Sequence, residues 1–291
     1  MIYAASSDSI TIINGTTNLL VGGITPPYSD AVFEKVSVNP RTNMIYVVGR
    51  ASSTGGFGGG SDSTSGFVSV IDGTTNKVIE NFPVAAASSS LSVNPQTNMI
   101  YVVGRNSSTS GFVSVVIDGT TNELVKNITM DSDVTPTDID VNPRTNIIYV
   151  VGRDSSKDGP LINEQRSIRQ SVTDGFGSDS TSGFVSVING TTNQIIENIT
   201  TDSDVASMSV VVNPQTNKVY VTGYLSFDPN SSFVSVIDGT TNEVENYNPL
   251  INIGSSDGLD LNPNTNLIYV FSSSSESVSV INGTTNRIMI I

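Results

Sequence analysis

The sequence contains no cysteine, no histidine and no tryptophan. Without cysteine there are no disulfides and no thiolate metal sites, and the redox compartment is not readable from this chain. Without histidine there is no imidazole to act as general base, triad member or metal ligand. Positive charge is scarce as well: 13 Lys and Arg stand against 27 Asp and Glu, a formal net charge of −14. That balance argues against a nucleic-acid partner, because phosphates are held by basic patches that release counterions. It favours solubility and association with cations. No run approaches the roughly 20 apolar residues of a membrane-spanning helix. Met1-Ile2-Tyr3-Ala4-Ala5-Ser6 carries neither the basic stretch nor the apolar core of an export signal.

Ser, Thr, Asn, Val and Gly dominate what is there, which suits short strands and tight turns. A five-residue turn, Asn/Asp-Gly-Thr-Thr-Asn, recurs with its glycines at Gly15, Gly73, Gly119, Gly190, Gly239 and Gly283. The intervals are 58, 46, 71, 49 and 44 residues. A basic period of about 45 falls in the range of a four-stranded propeller blade. A second turn, Asn-Pro-x-Thr-Asn, covers Asn39–Asn43, Asn94–Asn98, Asn142–Asn146, Asn213–Asn217 and Asn262–Asn266.

These signals predict four strands per unit: one ending at Asn-Pro, one such as Ile45–Val48, one such as Phe67–Ile71, and one such as Lys77–Phe82. Asp or Asn before Gly caps backbone N–H groups, Gly supplies positive φ, and the later Asn of the second turn tolerates the left-handed region. The second and third strands are apolar nearly throughout, so both of their faces are covered. Blades stacked around an axis do this, and so does an open solenoid of hairpins; closure leaves fewer exposed edges.

The Ile-Tyr-Val runs, the Asn-Pro-x-Thr-Asn turn and segments such as Val70-Ile71-Asp72-Gly73-Thr74-Thr75-Asn76 resemble the YVTN family of β-propeller repeats over nearly the whole chain. The resemblance implies an all-β propeller and archaeal or bacterial cell-surface or surface-layer material. More distant relatives include lactonase-like and quinoprotein-like enzymes. The expected architecture is one domain, 1–291, of six repeats (1–30, 31–85, 86–132, 133–203, 204–253 and 254–291). The first repeat lacks its Asn-Pro strand, and the last ends on a fourth strand. Closure of six blades with one of three strands is expected; a fragment of a propeller of seven or more blades, with an export signal upstream of Met1, is the alternative.

The recurring turns share one face, and the variable loops Gly49–Gly66, Gly104–Gly111, Gly152–Gly183 and Gly223–Ser232 occupy the other. Variable loops on a rigid scaffold carry binding. Arg50, Arg105 and Arg153 hold equivalent places there and are candidates for an anion or carboxylate contact, or for ordinary surface ion pairs. Asp131, Asp133, Asp202 and Asp204, in two Asp-Ser-Asp-Val crossovers, could chelate calcium or cap tight turns. Seven Asn-x-Ser/Thr sequons occur. Asn14, Asn189 and Asn282 belong to the turn motif, leaving Asn106, Asn127, Asn198 and Asn230 as glycosylation candidates. No blade carries a distinct cluster of titratable groups of the sort catalysis needs. The expected function is a non-catalytic extracellular scaffold binding a protein or glycan partner at the cell surface. The alternative is a lactonase-like or metal- or cofactor-dependent enzyme of the central channel.

Overall fold

The computed structural model describes residues 1–51, 65–84, 87–105, 112–130, 134–154, 182–200, 205–225, 228–250, 256–272 and 275–289. These residues form six antiparallel sheets of adjacent strands, the blades of a β-propeller. The first blade has three strands, β1 (Ile2–Ser6), β2 (Ser9–Asn14) and β3 (Leu19–Ile24). Each later blade has four. They are β4–β7 (Ala31–Asn39, Met44–Ala51, Ser65–Asp72, Lys77–Val84) and β8–β11 (Ala87–Asn94, Met99–Arg105, Phe112–Asp118, Glu123–Thr129). Next come β12–β15 (Val134–Asn142, Ile147–Asp154, Ser182–Asn189, Gln194–Thr200) and β16–β19 (Val205–Asn213, Lys218–Leu225, Asp228–Asp238, Val244–Leu250). The sixth blade is β20–β23 (Gly258–Asn262, Leu267–Ser272, Ser277–Asn282, Arg287–Met289).

The two recurring turns lie side by side in each complete blade. Gly73 N–H donates to Asn43 O at 2.9 Å, and Gly119, Gly190, Gly239 and Gly283 repeat that bond to Asn98, Asn146, Asn217 and Asn266. Asp72 Oδ1 accepts from Thr74 and Thr75 N–H at 2.7 and 3.0 Å, as expected of a capping Asx residue. One expectation is corrected. Positive φ in these turns belongs to the last Asn of each, at 52–59°, and not to the glycine. The glycine is there because the chains run too close for a side chain: a Cβ on Gly73 would lie 2.5 Å from Asn43 O.

In blades with a neighbour on both sides, the second strands bury alternate residues against opposite neighbours. In β5, Ile45 and Val47 pack with Ile10 and Ile12 of the first blade, while Tyr46 and Val48 pack with Ile100 and Val102 of the third. This is why these runs are apolar without alternation. Five such cores join the blades in series from first to sixth among the described residues.

A ladder of asparagines reinforces them. Asn39, Asn94, Asn142 and Asn213 each donate from Nδ2 to the closing Asn of the next blade's Asn-Pro turn, every bond 2.7 Å. The Oδ1 of the same four residues caps a backbone N–H within its own turn. One amide therefore serves turn and interface together.

Candidate functional site

The innermost strands build the one concentrated set of charges at the axis among the described residues. In β4, β8, β12 and β16 the register slips by one residue, between Phe33 and Lys35, Ser88 and Ser90, Pro136 and Asp138, and Ser207 and Ser209. These bulges are equivalent and re-aim the residues that follow them. The slip aligns two tiers of side chains. Lys35, Ser90, Asp138 and Ser209 face Val48, Val103, Val151 and Thr222 on their second strands. One step on, Ser37, Ser92, Asp140, Val211 and Asp260 face the Tyr position of each blade.

Asp138 is the hub of the first tier. Its Oδ1 accepts from the Lys35 ammonium, from Ser90 Oγ at 2.6 Å and from Ile139 N–H at 2.9 Å. Its Oδ2 accepts from Ser209 Oγ at 2.6 Å and Val210 N–H at 3.1 Å. The donors come from the second, third, fourth and fifth blades. Lys35 thus spans 103 positions of sequence and passes over a whole blade to reach its partner. In an open solenoid each repeat contacts only its neighbours, so this bond supports the ring over the hairpin stack.

Asp140 anchors the second tier, accepting from Ser92 Oγ at 2.9 Å, Val141 N–H at 2.9 Å and Val212 N–H at 2.8 Å.

Burial acts on all three ionisable groups, with different results. For Asp138, burial favours the neutral acid, but the Lys35 charge and the hydroxyl donors outweigh it, and the carboxyl is held below its usual range. For Lys35, burial favours the neutral amine, but Asp138, Asp140 and Asp260 outweigh it and raise its pKa. Asp140 lacks a direct cation. Burial dominates there, only partly offset by Val212 N–H and the more distant Lys35, and its pKa is pushed up to about 6. The cluster is assembled between blades, Lys35 from the second and Asp138 and Asp140 from the fourth, so a reading of each blade by itself did not find it. The signal was present in the repeat: charged residues stand inside strands at the same phase in different blades.

The structure places the sequence candidates apart from this cluster. Arg50 Nε lies 2.6 Å from Glu34 Oε1 in its own blade, an exposed ion pair of small energetic weight. Arg153 bridges to the next blade: its Nη2 donates to Tyr224 Oη at 2.7 Å and meets Met208 Sδ at 3.3 Å, with the guanidinium 5.5 Å from the Tyr224 ring centre. Arg105 closes β9, but its side chain lies outside the described residues, as do Asp131, Asp133, Asp202, Asp204 and Asn106. Asn127 and Asn198 are exposed on outer strands, and Asn198 Oδ1 accepts from Ser186 Oγ at 2.6 Å. Asn230 falls within β18, with its side chain outside the described residues. No group of three or more acidic metal-ligating side chains occurs among the described residues.

No family model matches this sequence, and no curated protein matches it. Solved structures do. The chain is similar to Kuenenia stuttgartiensis hydrazine synthase, at TM-score 0.60 and 11% identity, covering 94% of this chain and 89% of that one. It is similar to a chain of a nidogen/laminin complex, at TM-score 0.59 and 8% identity, covering 99% and 90%. It is also similar to Pyrococcus horikoshii acylaminoacyl peptidase, at TM-score 0.53 and 11% identity, covering 87% of this chain and 38% of that enzyme. Identities this low establish the propeller fold and nothing finer.

Proposed function

We propose that this chain is a YVTN-type propeller acting as a non-catalytic interaction scaffold at a microbial cell surface, binding a protein or glycan through its variable-loop face. One observation carries the reading. The carboxylate best placed for chemistry at the axis, Asp138, spends both its oxygens on five donors drawn from four blades. A group so occupied ties blades together and is not free to act as base or nucleophile. The axis then serves as a fastening, and recognition falls to the loops. The resemblance to surface repeats and the Ser/Thr/Asn-rich composition support the location.

A second reading rests on Asp140. A carboxyl with its pKa near 6 at a propeller axis is the type of group that general acid catalysis uses. It would make the chain a lactonase-like or metal-assisted enzyme.

The test has two arms. The full chain and a variant lacking 155–174 are compared for binding to a panel of surface glycans and purified envelope proteins. The same proteins are assayed on lactones and phosphoesters with and without calcium. The scaffold reading expects saturable binding that the deletion abolishes, and no turnover. Turnover lost in Asp140→Asn, without loss of folding, would establish the second reading instead.

A further inference from the structure

Several cations with described side chains hold a carboxylate. Lys35 meets Asp138, Lys218 meets Asp238 and Glu245, and Arg50 meets Glu34. Arg153 meets none among the described residues, yet it is the more enclosed: Arg41, Arg50, Arg144 and Arg287 are exposed, and Arg153 is half-buried. From near the end of β13 it crosses to the fifth blade. There Nη2 donates to Tyr224 Oη at 2.7 Å and meets Met208 Sδ at 3.3 Å, and the guanidinium lies 5.5 Å from the Tyr224 ring centre. Nε is shut off from solvent and makes no hydrogen bond. Nη1 has no partner among the described residues.

A guanidinium carries five N–H donors, and enclosing them without acceptors is unfavourable. The Tyr224 ring and hydroxyl compensate part of that loss; what the group lacks is an anion. The repeat makes this arrangement at one joint. The position after the second-strand glycine is Arg50, Arg105 and Arg153 in the second, third and fourth blades, and Tyr224 in the fifth. Arg50 and Arg105 are each followed, one blade on, by another arginine, and Arg153 is followed by an aromatic ring. The Tyr224 hydroxyl accepts from Arg153 and keeps its own O–H to donate.

We propose that Arg153 and Tyr224 form a carboxylate subsite on the variable-loop face, at the joint of the fourth and fifth blades, and that its ligand is a uronic acid such as a surface glycan carries. This rests on the reading of the chain as a binding scaffold and names the chemistry that the scaffold recognises. A carboxylate takes the free Nη1 donor and the Tyr224 O–H, both held in place by the Arg153–Tyr224 bond. Thr135, which pairs with Arg153 across β12, and Met208 add no second cation. The net charge of −14 works against a ligand bearing several carboxylates. One carboxylate on an uncharged, hydroxyl-rich frame fits that balance better than an acidic peptide does.

The full chain is titrated with glucuronate, with glucose as the neutral analogue and with N-acetylaspartate amide as a peptide carboxylate, and binding is followed by NMR. Glucuronate should bind saturably, and Arg153→Met should weaken it about tenfold or more, the loss expected of a charge-assisted hydrogen bond. Arg153→Lys should recover only part of that loss, since an ammonium keeps the charge without the planar fork. Arg50→Met should change nothing, and thermal melts confirm that each variant folds. Equal glucuronate affinity in the parent and Arg153→Met, or equal affinity for glucuronate and glucose, would overturn the proposal. So would a preference for the aspartate amide. A chain that binds an envelope protein through its loops and is indifferent to Arg153→Met keeps the scaffold reading and loses this one. Arg153-dependent glucuronate binding in a chain with no partner in the wider panel does the reverse.

Discussion

At the residue scale, the glycines of the recurring turns show how position decides the effect of a single methyl group. A Cβ on Gly119 would fall 2.7 Å from Asn98 O, 2.7 Å from Ile100 Cδ1 and 2.8 Å from Tyr46 Oη. On Gly15 it would have room. Gly119→Ala is expected to destabilise the protein by about 1–3 kcal/mol, as overpacking does, while Gly15→Ala stays within roughly 0.5 kcal/mol of the parent. Urea denaturation of the two variants decides this, and equal effects would remove the proposed crowding. The sequence marks these glycines by their repetition, but suggests the wrong cause. Asx-Gly is the familiar signature of positive φ, whereas here the strain-tolerant residue is the Asn that closes the turn. Only the close passage of the Asn-Pro turn, invisible in a linear reading, explains the glycine.

Asp140 and Asp138 make a second residue-scale case. The folded state raises the pKa of Asp140 to about 6 from an ordinary 3.8. Its contribution to stability is therefore fully present below 3.8 and is lost as pH rises through about 6. Asp138 is depressed, so its contribution is present above 3.8 and is lost as pH falls through its folded value. Carboxyl carbon NMR should find Asp140 titrating near pH 6 and Asp138 below the ordinary aspartate range. Two ordinary titrations would mean that the axis is wet and the two carboxylates unconstrained.

At the scale of the element, the strand is the unit that the sequence describes best. Two turn motifs and a continuous apolar run predict four strands per repeat, and twenty-three strands are present among the described residues, three in the first blade. The bulges in β4, β8, β12 and β16 were not legible, because a bulge is defined by pairing with another strand, and the extra residue shows only once that register is known. Yet they create the axial tiers. The asparagine at the end of each first strand also does more than its motif reveals. Asn94 donates to Asn146 across the interface and accepts from Gln96 N–H within its turn. Asn94→Ala should cost about 1–3 kcal/mol, since it strips a buried bond and leaves partners unsatisfied. Asn262→Ala removes only a turn cap and should cost less, about 1 kcal/mol. Equal losses would show that the ladder adds nothing to the turn.

At the scale of the whole molecule, the number of blades follows from counting repeats, but the way the ring is fastened does not. The Lys35–Asp138 bond joins the second blade to the fourth, and no local pattern announces a contact of that span. The uneven burial of equivalent residues is hidden for the same reason. Tyr269 occupies the same motif position as Tyr220, yet it is 37% exposed where Tyr220 is fully buried. Among the described residues, the propeller is a series of six blades joined by five buried cores and tied across its axis by the Lys35–Asp138 pair.

Native-state hydrogen exchange on dilute protein tests that view most directly, because protection follows the local free energy of opening. Amides of Tyr46–Val48 and Tyr149–Val151, walled in on both faces, should exchange slowest, and those of β1, β21 and β22 much faster. Uniform protection from the first blade to the sixth would contradict it.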